Sequence, residues 1–370
     1  MMRRIAILFL CTALIGACSK KDKNDKSATK STDMTEADKV AAVKAATDKA
    51  AADKAAADKA AAEEEEKRKK RIARIAELSA KDAEKAAEEL KRWDDAMRAG
   101  VKKLVETEHK DVKSALEAAV KSPHRVPGNA DRDPYRHPVE TLVFLGLQPD
   151  MTVLEAGVGR GWYSEIIGPV VAKKGKLLML SGDPAGPADS FGTLRAKRVK
   201  AFMDKSPEIF GNAATVILTE EKKSWGADSS VDMVVAFREM HGWTRRDQLD
   251  GNLSEIHRVL KPGGIFGVVQ HRTENGKDGK ETAKNGYLPQ DWLVAQVEKK
   301  GFKLAEASEI NANPKDTRDH PEGVWTLPPG FALKDKDREK YAAIGESDRM
   351  TLKFVKMADA TAPAAGAPSK

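Results

Sequence analysis

The stretch Met151-Thr-Val-Leu-Glu155-Ala156-Gly157-Val158-Gly159-Arg160-Gly161 decides the fold. Its apolar beginning predicts a buried strand, and the alternating glycines that follow predict a tight turn. Residues 162–172 then read as a helix and residues 176–180 as a second strand. In this context a glycine motif predicts a ligand site, because glycine lets the backbone approach a ligand and the helix N-terminus offers free N–H groups.

The motif and its surroundings resemble the class I S-adenosylmethionine-dependent methyltransferases. In that superfamily an acidic residue precedes Gly-x-Gly-x-Gly by one position, as Glu155 does here. Residues 230–236 resemble the fourth strand of that fold, and Leu260-Lys-Pro-Gly-Gly264 resembles its helix-to-strand turn before a fifth strand at 265–269. The resemblance implies a Rossmann-like α/β sheet of seven strands in the order 3-2-1-4-5-7-6, ending in an antiparallel hairpin. It also implies S-adenosyl-L-methionine as the cofactor.

A narrower resemblance is to an uncharacterised bacterial group of predicted methyltransferases. It is carried by Asp133-Pro-Tyr-Arg-His-Pro-Val-Glu-Thr-Leu142, Phe237-Arg-Glu-Met-His-Gly-Trp243 and Gly345-Glu-Ser-Asp-Arg-Met-Thr-Leu-Lys-Phe354. The similarity covers roughly residues 123–357 and implies no particular methyl acceptor. Residues 133–137 precede the first strand, where they act either as a lid over the donor or as a structural hinge.

The superfamily resemblance implies a set of cofactor-binding residues at the strand ends. They are Glu155, Gly157, Gly159, Gly161, Ser181, Asp183, Glu220 and Phe237. Ser181 stands where the superfamily usually has an acidic residue for the ribose, so either Asp183 or Ser181 makes that contact, or donor binding is lost. Glu220 is placed to meet the adenine amino group, although a solvated charge is an equal alternative.

Two polar clusters predict the catalytic end of the site. Arg238 and His241 follow the fourth predicted strand, and His271 and Arg272 follow the fifth. Carboxyl ends of adjacent parallel strands meet at one edge of a sheet, where ligands bind. Either histidine is a candidate general base, and either arginine is a candidate to orient an anionic acceptor. The alternative is that the histidines cap loops. The spacing of these histidines and Glu239 is not that of a metal site, and we expect no metal.

The amino terminus predicts export and a lipid anchor. Arg3 and Arg4 precede a short apolar run, 5–15, and Ile15-Gly-Ala-Cys18 resembles the cleavage motif of bacterial lipoproteins. We therefore predict a signal peptide over 1–17, lipidation of Cys18, and a domain held by its lipid at the periplasmic face of the inner or outer membrane. An ordinary signal peptide with an incidental cysteine is the alternative.

A polar segment separates this leader from the globular part. We predict a flexible linker over 18–34, a charged helical stalk over 35–120, a methyltransferase-like domain over 121–357 and a disordered Ala/Pro tail over 358–370. An Ala/Lys/Asp repeat at 46–60 winds its charges around the helix, which argues against a coiled coil there. An apolar stripe further on predicts either docking onto the domain or self-association. Its members are Ala83, Ala86, Leu90, Trp93, Met97 and Leu104.

The function predicted from these patterns is methyl transfer to an envelope-associated small molecule or lipid. The net charge of +7 is a small excess over interspersed charges of both signs, which speaks against nucleic acid as a partner. Because S-adenosylmethionine is made in the cytosol, the alternative is a non-catalytic ligand-binding lipoprotein that keeps the fold.

Overall fold

A computed structural model describes residues 35–357. The predicted signal peptide over 1–17, Cys18, the linker over 18–34 and the tail over 358–370 lie outside these described residues. The described residues divide into two units, with the boundary between Glu66 and Lys67. The second unit therefore begins within the predicted stalk, well before the predicted domain boundary at residue 121.

Three helices cover the predicted stalk. They are α1 (Glu36–Lys91), α2 (Asp95–Glu106) and α3 (Val112–Lys121). A capping box begins α1, where the backbone N–H of Thr35 donates to the Asp38 carboxylate and the N–H of Asp38 donates to the Thr35 hydroxyl. The stalk is interrupted because Asp94 caps a new helix by accepting from the N–H of Met97.

Apolar side chains from residue 67 onward enter the core of the second unit. Ile75, Trp93, Val101 and Leu116 are buried. Trp93 and Met97, two members of the apolar stripe, pack in the core cluster that also holds Leu116. For these two residues the structure shows docking onto the domain, whereas Leu90 stays half exposed. Self-association through the stalk stays a prediction.

The predicted sheet order is confirmed. The strands are β1 (Thr152–Ala156), β2 (Lys176–Ser181), β3 (Ala214–Ile217), β4 (Val231–Phe237), β5 (Leu260–Thr273), β6 (Leu288–Pro289), β7 (Phe302–Ser308) and β8 (Arg349–Lys356). The main path runs β3-β2-β1-β4-β5-β8-β7, with the two-residue β6 beside β5. Without β6 this order is 3-2-1-4-5-7-6. Strand β8 is antiparallel to both of its neighbours, and the other pairings are parallel.

Helices cover both faces of the sheet. After α3 they are α4 (Asp133–Arg136), α5 (Pro138–Leu145), α6 (Ser164–Val171), α7 (Phe191–Asp204), α8 (Pro207–Phe210), α9 (Met240–Arg245), α10 (Leu249–Val259), α11 (Gly279–Thr282), α12 (Gln290–Glu298) and α13 (Arg338–Ile344). Side chains alternate across a strand, so Val153 of β1 enters one core cluster and Leu154 enters the other. Parallel strands buried on both faces bring their carboxyl ends to one edge, where the candidate site lies.

No helix among residues 35–357 combines the length and apolar character needed to cross a membrane.

Candidate functional site

The glycine turn connects β1 to α6, and its three glycines differ in what surrounds them. Gly157, Gly159 and Gly161 have φ angles of 91°, 59° and 81°, in the left-handed region that favours glycine. A Cβ at Gly157 would lie 2.1 Å from Cγ of Glu239, and one at Gly161 would lie 2.6 Å from the ring of Phe202. A Cβ at Gly159 would meet no atom within 4 Å. Two of the glycines are therefore required by the protein's own packing, and Gly159 faces open space.

Glu155, the penultimate residue of β1, lies beneath this turn and is buried. Its carboxyl group lies 2.5 Å from the hydroxyl of Ser164, the first residue of α6. Burial raises the pKa of Glu155 to about 8, because its charged form is taken out of water. A cation bound at the turn would stabilise the ionised carboxylate.

Glu239 is a second acidic group at the same place. It follows β4, and its side chain lies against Gly157. Burial also raises the pKa of the Glu239 carboxyl. Within residues 35–357 this carboxyl has no hydrogen bond or ion pair. The contact of Glu239 with the glycine turn is not visible in the sequence, because it joins the ends of two different strands.

The predicted ribose and adenine residues border a cleft of about 1130 Å³. Asp183, Glu220 and the indoles of Trp225 and Trp243 line it. One oxygen of Asp183 accepts from the N–H of Ala185, 2.8 Å away, which holds the side chain in the turn after β2. Ser181, the last residue of β2, is half-buried beside the cleft's Gly182. The cleft is open on this side because β3 and β4 are joined by a loop without a helix.

Phe237, the last residue of β4, is buried and makes an aromatic contact across the site. Its ring stacks on Tyr163 with centroids 3.5 Å apart and an interplanar angle of 11°. Tyr163 lies two residues after Gly161, so this stack connects the glycine turn to the end of β4.

The structure brings together the two histidines predicted from separate strand ends. The ring centroids of His241 and His271 are 5.6 Å apart. The amide of Gln270 contacts Nδ1 of His241, and Nδ1 of His271 lies 2.5 Å from the hydroxyl of Ser347. Burial lowers the pKa of His241 to about 4 and lowers that of His271 well below its usual value, assisted by nearby positive charges. Both imidazoles are therefore neutral at pH 7.

The two predicted arginines have different environments. Arg272 donates to Asp348 at 3.0 Å and to Glu309 at 2.6 Å, so its guanidinium is committed to ion pairs beyond β5. Arg238 follows β4 with a φ of 64°. Its guanidinium has no hydrogen bond or ion pair within residues 35–357, and it acts electrostatically on both histidines.

Three further arginines lie on this side of the site and were missed as site residues. Glu346 accepts from Nε of Arg132 at 2.6 Å, from Nε of Arg136 at 3.1 Å and from Nη1 of Arg349 at 2.7 Å. Although burial acts to raise it, the charges of these arginines lower the pKa of Glu346 to about 2. The motifs around residues 133–142 and 345–354 contain all of these residues except Arg132, but nothing local in the sequence shows that the two segments meet.

Residues 67–91 of α1 contact the rim of the glycine turn. Asp82 forms ion pairs with Arg160 of the turn and with Arg198 of α7. Arg68 pairs with Asp189, in the loop after β2, at 3.3 Å. These are contacts that the predicted role of a spacer did not include.

Within the part of the chain that the structure describes, no three or more His, Cys, Asp or Glu side chains are grouped so as to hold a metal ion.

Comparison with known proteins finds a family match in this region. Residues 204–268 match a family described as a methyltransferase domain. The matched segment runs from the end of α7 into β5 and includes Arg238, Glu239 and His241, but not the glycine turn. The chain has the Rossmann-like methyltransferase fold.

Similar solved structures include methyltransferases from bacteria and a eukaryote. An S-adenosylmethionine-dependent methyltransferase from Aquifex aeolicus is 18% identical over 61% of this chain and 92% of its own, with a TM-score of 0.38. A putative sarcosine dimethylglycine methyltransferase from Galdieria sulphuraria is 15% identical over 71% and 99%, with a TM-score of 0.42. A putative methyltransferase from Bacillus halodurans is 14% identical over 60% and 100%, with a TM-score of 0.37. No curated protein sequence matches this one significantly.

The raised pKa of Glu155 predicts a pH-dependent stability. A carboxyl group whose pKa rises from 4.5 to about 8 on folding contributes stability below pH 4.5 that is lost as the pH rises to about 8. Replacing Glu155 by Gln should remove this dependence and raise the free energy of unfolding at pH 8. The gain is at most about 5 kcal/mol, at about 1.4 kcal/mol per pKa unit.

Denaturant unfolding across this pH range measures the effect. Glu140→Gln, at an exposed position of α5, is the control. Equal pH profiles for wild type and Glu155→Gln would show that the Glu155 carboxylate is not destabilised by burial.

Proposed function

We propose that this protein is a methyltransferase that uses S-adenosylmethionine, with the donor bound across the glycine turn. The observation that carries the proposal is the pairing of an open backbone at Gly159 with a buried carboxyl, Glu155, and a half-buried one, Glu239, whose pKa values are both raised. A donor with an ammonium and a sulfonium group would supply a directly bound positive charge, whereas the nearby charge of Arg238 only partly offsets the effect of burial on these carboxyls. The fold and the family match at 204–268 support the same proposal.

The remaining donor contacts follow from the strand ends. Asp183 or Ser181 would bind the ribose and Glu220 would meet the adenine amino group, since Asp183 and Glu220 line one cleft. Phe237 is stacked on Tyr163 near the glycine turn, so it would border the donor there and not in that cleft. The donor supplies an electrophilic methyl group. What the chain then has to do is position the acceptor in line with that methyl group and, for an oxygen or nitrogen acceptor, remove its proton.

We propose His241 or His271 as the group that removes this proton. Both imidazoles are in the neutral form that a general base needs. In each ring the protein contacts Nδ1, so Nε2 is the nitrogen that would face a ligand. Arg238 is placed beside them to orient the acceptor. Arg272 is not assigned this orienting role, because its guanidinium already donates to Asp348 and Glu309.

We also propose that the domain is lipid-anchored in the cell envelope through Cys18. Support comes from the sequence alone, namely the short apolar run over 5–15 and the small residues that precede the cysteine. The acceptor would then be a small molecule or lipid of the envelope.

Substitution of Gly159 tests donor binding. Gly159→Val should lower the affinity for S-adenosylhomocysteine by at least about 100-fold, or about 3 kcal/mol, because the side chain would fill space that is open in the protein. Isothermal titration calorimetry measures the loss. Gly276→Val is the matched control, because Gly276 also has a positive φ and a Cβ there also meets nothing within 4 Å. The proposal fails if wild type does not bind the ligand or if both variants lose binding equally.

The histidines give a prediction about pH. In an NMR titration of the ring signals, His241 should titrate near pH 4, and His271 should stay neutral at pH values well below 6.5. Replacement of the active base by Gln should lower methyl transfer by about 10²- to 10⁴-fold while donor affinity is kept. Unchanged turnover in both Gln variants would assign the histidines a structural role.

The anchor is tested in cells. Cys18→Ala should abolish incorporation of an alkyne fatty acid and release the protein from the membrane fraction, since the lipidated thiol is lost. Cys11→Ala is the matched control, because Cys11 lies within the predicted signal peptide. A wild-type protein that takes up no label would contradict the anchor.

A further inference from the structure

The arginine cluster beyond β4 has fewer negative partners than positive charges. It is formed by Arg132, Arg136, Arg238 and Arg349. Glu346 is the only carboxylate in hydrogen-bond contact with any of these side chains among residues 35–357. The cluster therefore carries an excess of positive charge in a place largely removed from water.

Arg136 shows the imbalance most directly. Its side chain is 1% exposed, its Nε donates to Glu346, and neither Nη1 nor Nη2 has a hydrogen-bond partner. Its guanidinium lies over the ring of Trp162, 4.6 Å from the centroid, which fixes the plane of the group. Burying a charged donor without a partner is costly, so a native protein rarely leaves two such nitrogens empty.

The neighbouring arginines add more unused donors. Nη2 of Arg132 and Nε of Arg349 are also buried without a partner. Arg238 forms no hydrogen bond or ion pair within the described residues, and its charge lowers the pKa of the Arg136 guanidinium, as burial does. Mutual repulsion of this kind is relieved by an anion placed between the groups.

The geometry of the donors indicates the chemistry of the missing partner. A planar guanidinium with both Nη atoms free presents two parallel N–H groups, which match the two oxygens of a carboxylate or a phosphate. The histidines are close by, since His271 pairs with Arg349 across β5 and β8 and its Nδ1 contacts Ser347, the residue after Glu346. A group bound by the arginines would hold the rest of its molecule beside the two imidazoles.

We propose that this cluster is an oxyanion-binding subsite, and that the methyl acceptor carries a carboxylate or phosphate that Arg136 and Arg238 bind. The assignment of that ligand as the acceptor rests on the proposed methyltransferase function, whereas the subsite itself does not. The arginines fix the orientation of the acceptor and His241 or His271 faces its nucleophile. An uncharged acceptor would leave the Nη atoms of Arg136 unpaired and would bind poorly.

Arg238→Gln is the decisive variant because no hydrogen bond or ion pair is lost with the guanidinium. Thermal unfolding of the full chain is followed with increasing sodium phosphate or sodium acetate, at ionic strength held constant with chloride. Without either anion, the variant should unfold at the wild-type temperature or above, since one repelling charge is gone. With anion, wild type should show a saturable rise, and the variant should bind at least about 10-fold more weakly.

Arg74→Gln is the matched control, because it removes the same charge from an exposed position of α1 and should keep the wild-type response. It also corrects for the general stabilising effect of phosphate on folded proteins. A response to phosphate alone identifies a phosphate subsite, and a response to acetate alone identifies a carboxylate subsite. Equal responses in wild type and Arg238→Gln, or no response to either anion in wild type, would overturn the proposal.

Titration of the same samples with S-adenosylhomocysteine separates this proposal from the proposed function. If the anion response is present and donor binding is absent, the methyltransferase function fails and the subsite stands. If donor binding is present and the anion response is absent, the oxyanion subsite fails and the methyltransferase function stands.

Discussion

Gly157 and Gly161 bracket the turn from β1 into α6, and neither has room for a side chain because Glu239 and Phe202 occupy that space. This exclusion fixes how closely β4 and α7 approach the turn. It also places Glu155 beneath the start of α6 and leaves Gly159 as the one glycine of the three whose surroundings are open. The other parts of the candidate site are positioned relative to this packing.

Charge is distributed unevenly across the site. Two carboxyls with pKa values raised by burial, the buried Glu155 and the half-buried Glu239, lie at the glycine turn. The arginines around Glu346 lie on the other side, with Arg238 acting on both groups. A cation at one end and an anion at the other would each relieve a desolvation cost that the protein alone does not meet. Buried charged groups whose desolvation is not compensated are a feature of functional sites, which explains why buried groups without partners concentrate here.

The C-terminal part of α1 is joined to this site by charge as well as by packing. Ile75 is buried, while Asp82 pairs with Arg160 in the glycine turn. The ion pair of Asp82 with Arg198 is only partly exposed, so it contributes more than a fully solvated pair would. The C-terminal part of α1 is therefore a structural neighbour of the glycine turn.

The sequence by itself predicted the main strands and the glycine turn, because these depend on local periodicity and on residues such as Gly157 and Pro262 whose backbone preferences are intrinsic. The order of the sheet was predicted only through the resemblance to class I methyltransferases. The sequence also predicted that His241 and His271 meet, since strand ends in a parallel sheet share one edge. Only the tertiary structure decided which of the two predicted arginines is available to bind an acceptor. The carboxylates that pair with Arg272 come from distant segments of the chain.

The arginine cluster is a second feature that could not be predicted from the sequence. Arg136 and Glu346 are separated by 210 residues, and their pairing depends on the antiparallel strand β8 lying beside β5. The break in the stalk at Trp93 combines a local signal, the N-cap Asp94, with the packing of Trp93 in a core that exists only after folding. Local sequence specifies conformation, whereas burial and charge compensation are properties of contacts between segments, and those contacts are set by the fold.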